Sequence, residues 1–172
     1  MLWSRLARSL VSRPLTEPAP TVPADTVAAL GARLEAASRA RLGRSLAVRA
    51  LDAGSCNGCE LELHALNGVL YDIERFGIRV VASPRHADVL IVTGPMTANM
   101  AEAAQRTLAA MPEPRWVVAV GDCAADGGAF RGSYAVEDGA GAVLPLDLVI
   151  PGCPPSPARI LEGLMALLEA QK

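Results

Sequence analysis

The chain has 172 residues, 51% apolar and only 3% aromatic, with a formal charge of −2. That is the length of one domain, enough to bury roughly 68–70% of the surface its unfolded form would expose. The charge leaves no basic footprint for nucleic acid, no run approaches the ~18 apolar residues that span a bilayer, and Gly and Pro recur without a period.

Residues 1–24 read as a separate piece. Leu2, Trp3, Leu6, Leu10 and Val11 fall on one helical face with arginines elsewhere. A basic amphipathic segment of this kind suits a membrane surface or a partner's groove, and a frayed tail is the equal alternative. Arg5, Arg8 and Arg13 interrupt any apolar core of a secretory signal. The cysteines are therefore expected to stay reduced and the chain to be cytoplasmic. Pro14, Pro18, Pro20 and Pro23 make a stiff linker, and 25–44 is expected to hold a helix over 25–42 capped by Asp25 or Thr26.

From 45 to 172 the pattern alternates. Strands are predicted at 45–51, 78–83, 88–94, 116–121 and 146–152, the later ones as β-branched runs bounded by Gly and Pro. Helices are predicted at 59–70, 97–110 and 156–169, the last with Pro157 in its first turn. Strands alternating with helices imply an α/β domain with a parallel, doubly wound sheet covered on both faces.

The four cysteines lie in three short motifs: Cys56-Asn57-Gly58-Cys59, Gly121-Asp122-Cys123 and Pro151-Gly152-Cys153-Pro154-Pro155. Cys56 follows the first predicted strand, Cys123 the fourth and Cys153 the fifth. Loops after parallel strands emerge at one edge of the sheet, where ligands bind. Four thiolates are the full ligand set of one cubane iron–sulfur cluster, and Cys-Pro ends many cluster-binding runs. An all-cysteine zinc site uses the same ligands, but a zinc ribbon has two Cys-x2-Cys pairs where this chain has one pair and two singles. A thioredoxin-like redox pair leaves Cys123 and Cys153 unexplained. The cluster is the preferred reading, with zinc the competitor.

Other residues are less specific. Glu60 and Glu62 open a helix beside the second cysteine; they suit proton transfer, but acids in a first turn are commonly just favoured by the helix dipole. His64 and His86 read as surface residues, with Arg85 and His86 able to touch a partner. Gly54, Gly58, Gly121 and Gly152 let backbone approach the sulfurs or simply make turns. Residues 93–97 (TGPMT) precede a helix but lack a phosphate-binding pattern. Asp122, Asp126 and Gly127-Gly128 read as cluster-loop architecture or a plain turn.

DAGSCNGCELELHALN, YDIERFG, SPRHADVLIVTGPMTANM, WVVAVGDCAADGGAF and IPGCPP, in this order, resemble the small electron-transfer subunit of energy-converting, membrane-bound NiFe hydrogenases, including formate hydrogenlyase. That subunit is homologous to the 20 kDa subunit of respiratory complex I. The resemblance spans about residues 45–168. It implies a flavodoxin-like fold and one 4Fe–4S cluster on Cys56, Cys59, Cys123 and Cys153. It also implies a large NiFe-hydrogenase-like or 49 kDa-like partner, ferredoxin-like iron–sulfur and membrane subunits, and peripheral attachment to the inner face of the cytoplasmic membrane. The complex I subunit differs in having adjacent cysteines as its first motif, so Cys56-x2-Cys59 has the hydrogenase form. Uptake-type hydrogenase small subunits add a C-terminal domain with cysteines for further clusters, which this sequence lacks, so one cluster is expected. One cluster cannot oxidise a two-electron substrate, and the chain is expected to act as a wire rather than a complete enzyme.

Overall fold

The structure, a computed structural model, describes residues 24–170, with side-chain surroundings from Thr26 onward. The amphipathic segment and proline linker read in 1–24 lie, up to residue 23, outside the described residues. Helix α1 (Ala24–Leu42) precedes β1 (Leu46–Asp52), α2 (Gly58–Leu66), β2 (Ile78–Val80), β3 (Val89–Thr93) and α3 (Ala98–Ala109). Then come β4 (Trp116–Val120), the short α4 (Asp122–Asp126), β5 (Leu148–Ile150) and α5 (Pro157–Ala170).

The five strands form one sheet in the order β2-β1-β3-β4-β5, and every pair is parallel. β3 and β4 are buried at every position, which explains their unbroken β-branched and apolar runs: both faces need covering. Successive residues alternate faces. Val89, Ile91, Val118 and Val120 pack with Val27 and Leu34 of α1, Leu66 of α2 and Ile160, Leu161 and Leu164 of α5. Leu90, Val92, Val117 and Ala119 face the other way, onto Ala104 of α3 and Ala124 of α4. The doubly wound α/β sandwich expected from the sequence is present, with a sheet that is parallel throughout.

Three elements are clearly shorter than predicted: α2, β2 and β5, the last reduced from 146–152 to Leu148–Ile150. α2 stops at Leu66 because Asn67-Gly68 follow, both poor helix formers; their N–H groups tighten back onto the His64 and Ala65 carbonyls. β2 keeps only three residues. Val80 and Val89 flank the same residue of β1, Val48. The chain therefore crosses from β2 to β3 at one level of the sheet, through a single 3-10 turn at Pro84–His86, and needs no crossover helix there.

Because the strands are parallel, the loops after β1, β3, β4 and β5 all leave one edge. The strand order changes direction between β1 and β3, which opens a crevice at that edge. The tertiary fold thus places the cysteine motifs where residues 56 and 153 can meet.

Candidate metal centre

The first motif is set by turn chemistry. Asp52 ends β1, and its Oδ1 accepts hydrogen bonds from Gly54 N at 2.8 Å and Ser55 N at 2.7 Å, so the chain curls back at once. Ser55 Oγ accepts from Asn57 N at 3.0 Å and donates to Glu60 Oε2 at 2.6 Å. Asn57 takes a left-handed conformation, φ 71°, and opens α2. Cys56 lies just outside that helix and Cys59 in its first turn, so the two-residue spacing turns both thiols toward one cavity.

The second motif follows β4. Gly121 has φ 95° and ψ 156°, a conformation reserved for glycine. A Cβ there would stand 2.6 Å from Cys59 Sγ. The sulfur of the first motif therefore rests on the bare backbone of the second. Cys123 sits in the first turn of α4, where a loop was expected; Gly127, at φ 90°, ends that helix. The Ala129 N–H donates to the Cys123 sulfur. The third motif is tied to the second: Gly152 N donates to Asp122 Oδ1 at 2.7 Å, and Asp122 N donates to the Gly152 carbonyl at 2.9 Å. Cys153 follows, joined to Pro154 by a cis peptide.

Cys56, Cys59, Cys123 and Cys153 line a single cavity of about 130 Å³, completed by Gly94, Asp122 and Pro154 among others. All four thiols are free. Burial, followed by Glu60 and the three other cysteines, pushes the Cys59 thiol from 9.0 up to about 12. Burial and then Cys153 raise Cys123 as well, against the opposing Ala129 hydrogen bond. Among the described residues no Lys, Arg or His lines the cavity. Four thiolates gathered there would repel one another with no protein cation to compensate, which is the donor set of a site completed by a bound cation or cationic cluster.

All four thiols share one cavity, and four thiolates are the ligand set both of a cubane iron–sulfur cluster and of a tetrahedral all-cysteine zinc site. The Gly121 and Gly128 backbones add to the fit: a Cβ on Gly128 would stand 3.0 Å from Cys123 Sγ.

The remaining residues singled out in the sequence separate. Glu60 is half-buried, and its Oε1 has no hydrogen-bond partner; Glu62 does not line the cavity. His64 is exposed at the end of α2, and His86 is exposed beyond the opposite edge of the sheet. Asp126 accepts from Gly128 N and Arg131, shaping the loop after Cys123. The Thr93 hydroxyl is buried against the Leu51 carbonyl, so within residues 93–97 it is Gly94 that reaches the site. Asp52 and Ser55 were not singled out; the Asp-x-Gly-Ser turn signature just before Cys56 would have marked them.

Fold and site together define an α/β protein with a four-thiol centre at the carboxyl edge of a parallel sheet. The chain belongs to the NADH ubiquinone oxidoreductase 20 kDa subunit family, whose pattern matches residues 56–167. It is 43% identical to formate hydrogenlyase subunit 7 of Escherichia coli over 80% of this chain and 54% of that one. It is 42% identical to a probable membrane-bound hydrogenase subunit of Pyrococcus furiosus, over 74% of this chain and 77% of the relative. With an NADH-quinone oxidoreductase subunit of Clostridium beijerinckii it shares 49% identity over 64% of this chain and 66% of the relative. The chain thus spans about half the length of the first of these relatives. Among solved structures, a chain of the membrane-bound sulfane sulfur reductase, an archaeal respiratory membrane complex, superposes with a TM-score of 0.65 at 31% identity, covering 78% of this chain and 72% of that one.

Proposed function

We propose that this chain is an electron-transfer subunit in which Cys56, Cys59, Cys123 and Cys153 hold one 4Fe–4S cluster, exchanging electrons with a large NiFe-type catalytic subunit of a membrane-associated complex. The observation that carries the proposal is the convergence of all four thiols on one cavity free of protein cations among the described residues. The bound group would supply one-electron redox chemistry. The chain's own residues would hold and shield it. The Ala129 N–H bonds a ligand sulfur, the Gly121 backbone backs Cys59, and the Asp122–Gly152 link holds two ligand loops together. Hydrogen bonds to sulfur and local burial are the means by which a protein sets such a potential. None of the described helices is long and apolar enough to cross a membrane, and attachment through partner subunits is part of the proposal.

Cys→Ser variants at the four positions test this. Each is expected to lose the visible iron–sulfur absorption and the EPR signal of the dithionite-reduced protein. Purified protein holding stoichiometric zinc with no EPR signal would sink the proposal.

The 49% identity to a quinone oxidoreductase subunit favours a second reading, delivery of electrons to quinone without hydrogen chemistry. Cys56-x2-Cys59 supports the hydrogenase form. The large subunit that co-purifies decides between them: two Cys-x2-Cys pairs mark a nickel site, and their absence marks the quinone type.

A further inference from the structure

The edge of the sheet opposite the cysteines carries a second concave site. Arg44 precedes β1, Arg79 lies in β2 beside Ala47, Arg85 and His86 form the turn before β3, and Pro112 lies in the loop before β4. These five residues line a cavity of about 160 Å³, roughly five water volumes. Parallel strands bring these segments to one edge for the same reason that they bring the cysteine loops to the other.

The charges there are not balanced internally. Arg44 makes a two-pronged ion pair with Asp88, through Nη1 at 2.8 Å and Nη2 at 2.5 Å. Asp88 is fully buried and also accepts from Ala47 N at 2.9 Å, so Arg44 is held in place. That carboxylate offsets one guanidinium. Among the described residues neither Arg79 nor Arg85 has a carboxylate partner. Two uncompensated positive charges remain in one concavity, with the His86 imidazole beside them.

We infer that this pocket, formed by Arg44, Arg79, Arg85 and His86, binds a phosphate group: the dianionic headgroup of a phosphorylated ligand, free or presented by a lipid. Guanidinium groups offer fixed forks of donors that match phosphate oxygens. Two residual charges match a phosphate monoester, which carries about −1.5 to −2, better than a single carboxylate. The volume admits the phosphate and leaves the rest of the ligand in solvent. The backbone holds the site on a strand and a short turn, so little ordering is needed when the anion arrives.

The test uses the full chain in its metal-loaded form. Inorganic phosphate is titrated calorimetrically at constant ionic strength against the wild type, the Arg79→Ala/Arg85→Ala double variant, and Arg159→Ala as a control on an exposed arginine in the first turn of α5, at the cysteine edge of the sheet. One-site binding, weakened at least tenfold in the double variant and unchanged in the control, is expected; folding of each variant is checked by its unfolding midpoint. Equal binding in the double variant overturns the inference. So does a polyglutamate peptide that binds as tightly as phosphate, since that describes a general acidic-partner surface. Co-sedimentation with phosphatidylcholine vesicles containing phosphatidic acid then distinguishes the sources. Retention released by inorganic phosphate supports a lipid headgroup, and phosphate binding without retention supports a soluble phosphorylated ligand.

Discussion

Asp122 and Gly152 are joined by a reciprocal pair of hydrogen bonds: Gly152 N donates to the Asp122 carboxylate at 2.7 Å, and Asp122 N donates to the Gly152 carbonyl at 2.9 Å. Each residue immediately precedes a cysteine, so the pair ties the Cys123 turn to the Cys153 loop. Only one of the two bonds needs the side chain. Asp122→Ala is expected to lower the stability of the chain by about 1.5–3 kcal/mol, the range for hydrogen bonds to a charged group, and to speed loss of the proposed cluster. Asp122→Asn keeps an acceptor and is expected to fall between. Urea unfolding and the decay of iron–sulfur absorption under a chelator measure the two effects; wild-type decay in Asp122→Ala would refute the positioning role.

Gly121 is expected to tolerate no side chain. A Cβ would meet Cys59 Sγ at 2.6 Å while the backbone stays at φ 95°, adding a steric conflict to a conformational cost of about 1–3 kcal/mol. Gly121→Ala should therefore both destabilise the chain and abolish the visible absorption of the proposed cluster. Gly132 is the control: its φ is 76°, but nothing lies within 4 Å of its missing Cβ. Gly132→Ala should cost about 1 kcal/mol and leave the absorption intact.

The Cys59 thiol makes the metal-free chain sensitive to alkali. An unfolded thiol ionises near 9.0, whereas burial, Glu60 and the neighbouring cysteines hold Cys59 protonated up to about 12. Above pH 9 the folded state binds more protons than the unfolded one, so stability is fully present below pH 9 and declines from there toward 12. Urea midpoints of the metal-free chain at about pH 8 and about pH 10.5 should show this fall. In Cys59→Ala it should be shallower, and parallel declines in the two proteins would show that other groups cause it.

The Arg44–Asp88 pair anchors the opposite edge. Asp88 is fully buried while the Arg44 side chain is 47% exposed. Removing the arginine leaves a buried carboxylate with the Ala47 N–H as its remaining donor. Arg44→Ala is expected to cost about 3 kcal/mol, and Arg44→Ala/Asp88→Asn less than that. Thermal unfolding of the two variants compares them directly.

Much of this was legible in the chain itself. The strands after Ser45 appear as short β-branched runs because both faces of a parallel strand are buried, and the cysteine motifs appear because Gly, Pro and Asp mark the turns around them. From these, the α/β class, the parallel sheet and the carboxyl-edge position of all four cysteines follow. The family resemblance, read over about residues 45–168, agrees with the family pattern, which matches residues 56–167. What local sequence leaves open is contact between distant residues. The Gly121 backbone against the Cys59 sulfur, the Asp122–Gly152 pair, the cation-free lining around the thiols and the arginines gathered at the far edge each join segments about 30 or more residues apart. Periodicity and turn chemistry act over a few residues, so they decide which elements form. Strand order and register decide which side chains meet, and the tertiary structure alone supplies those.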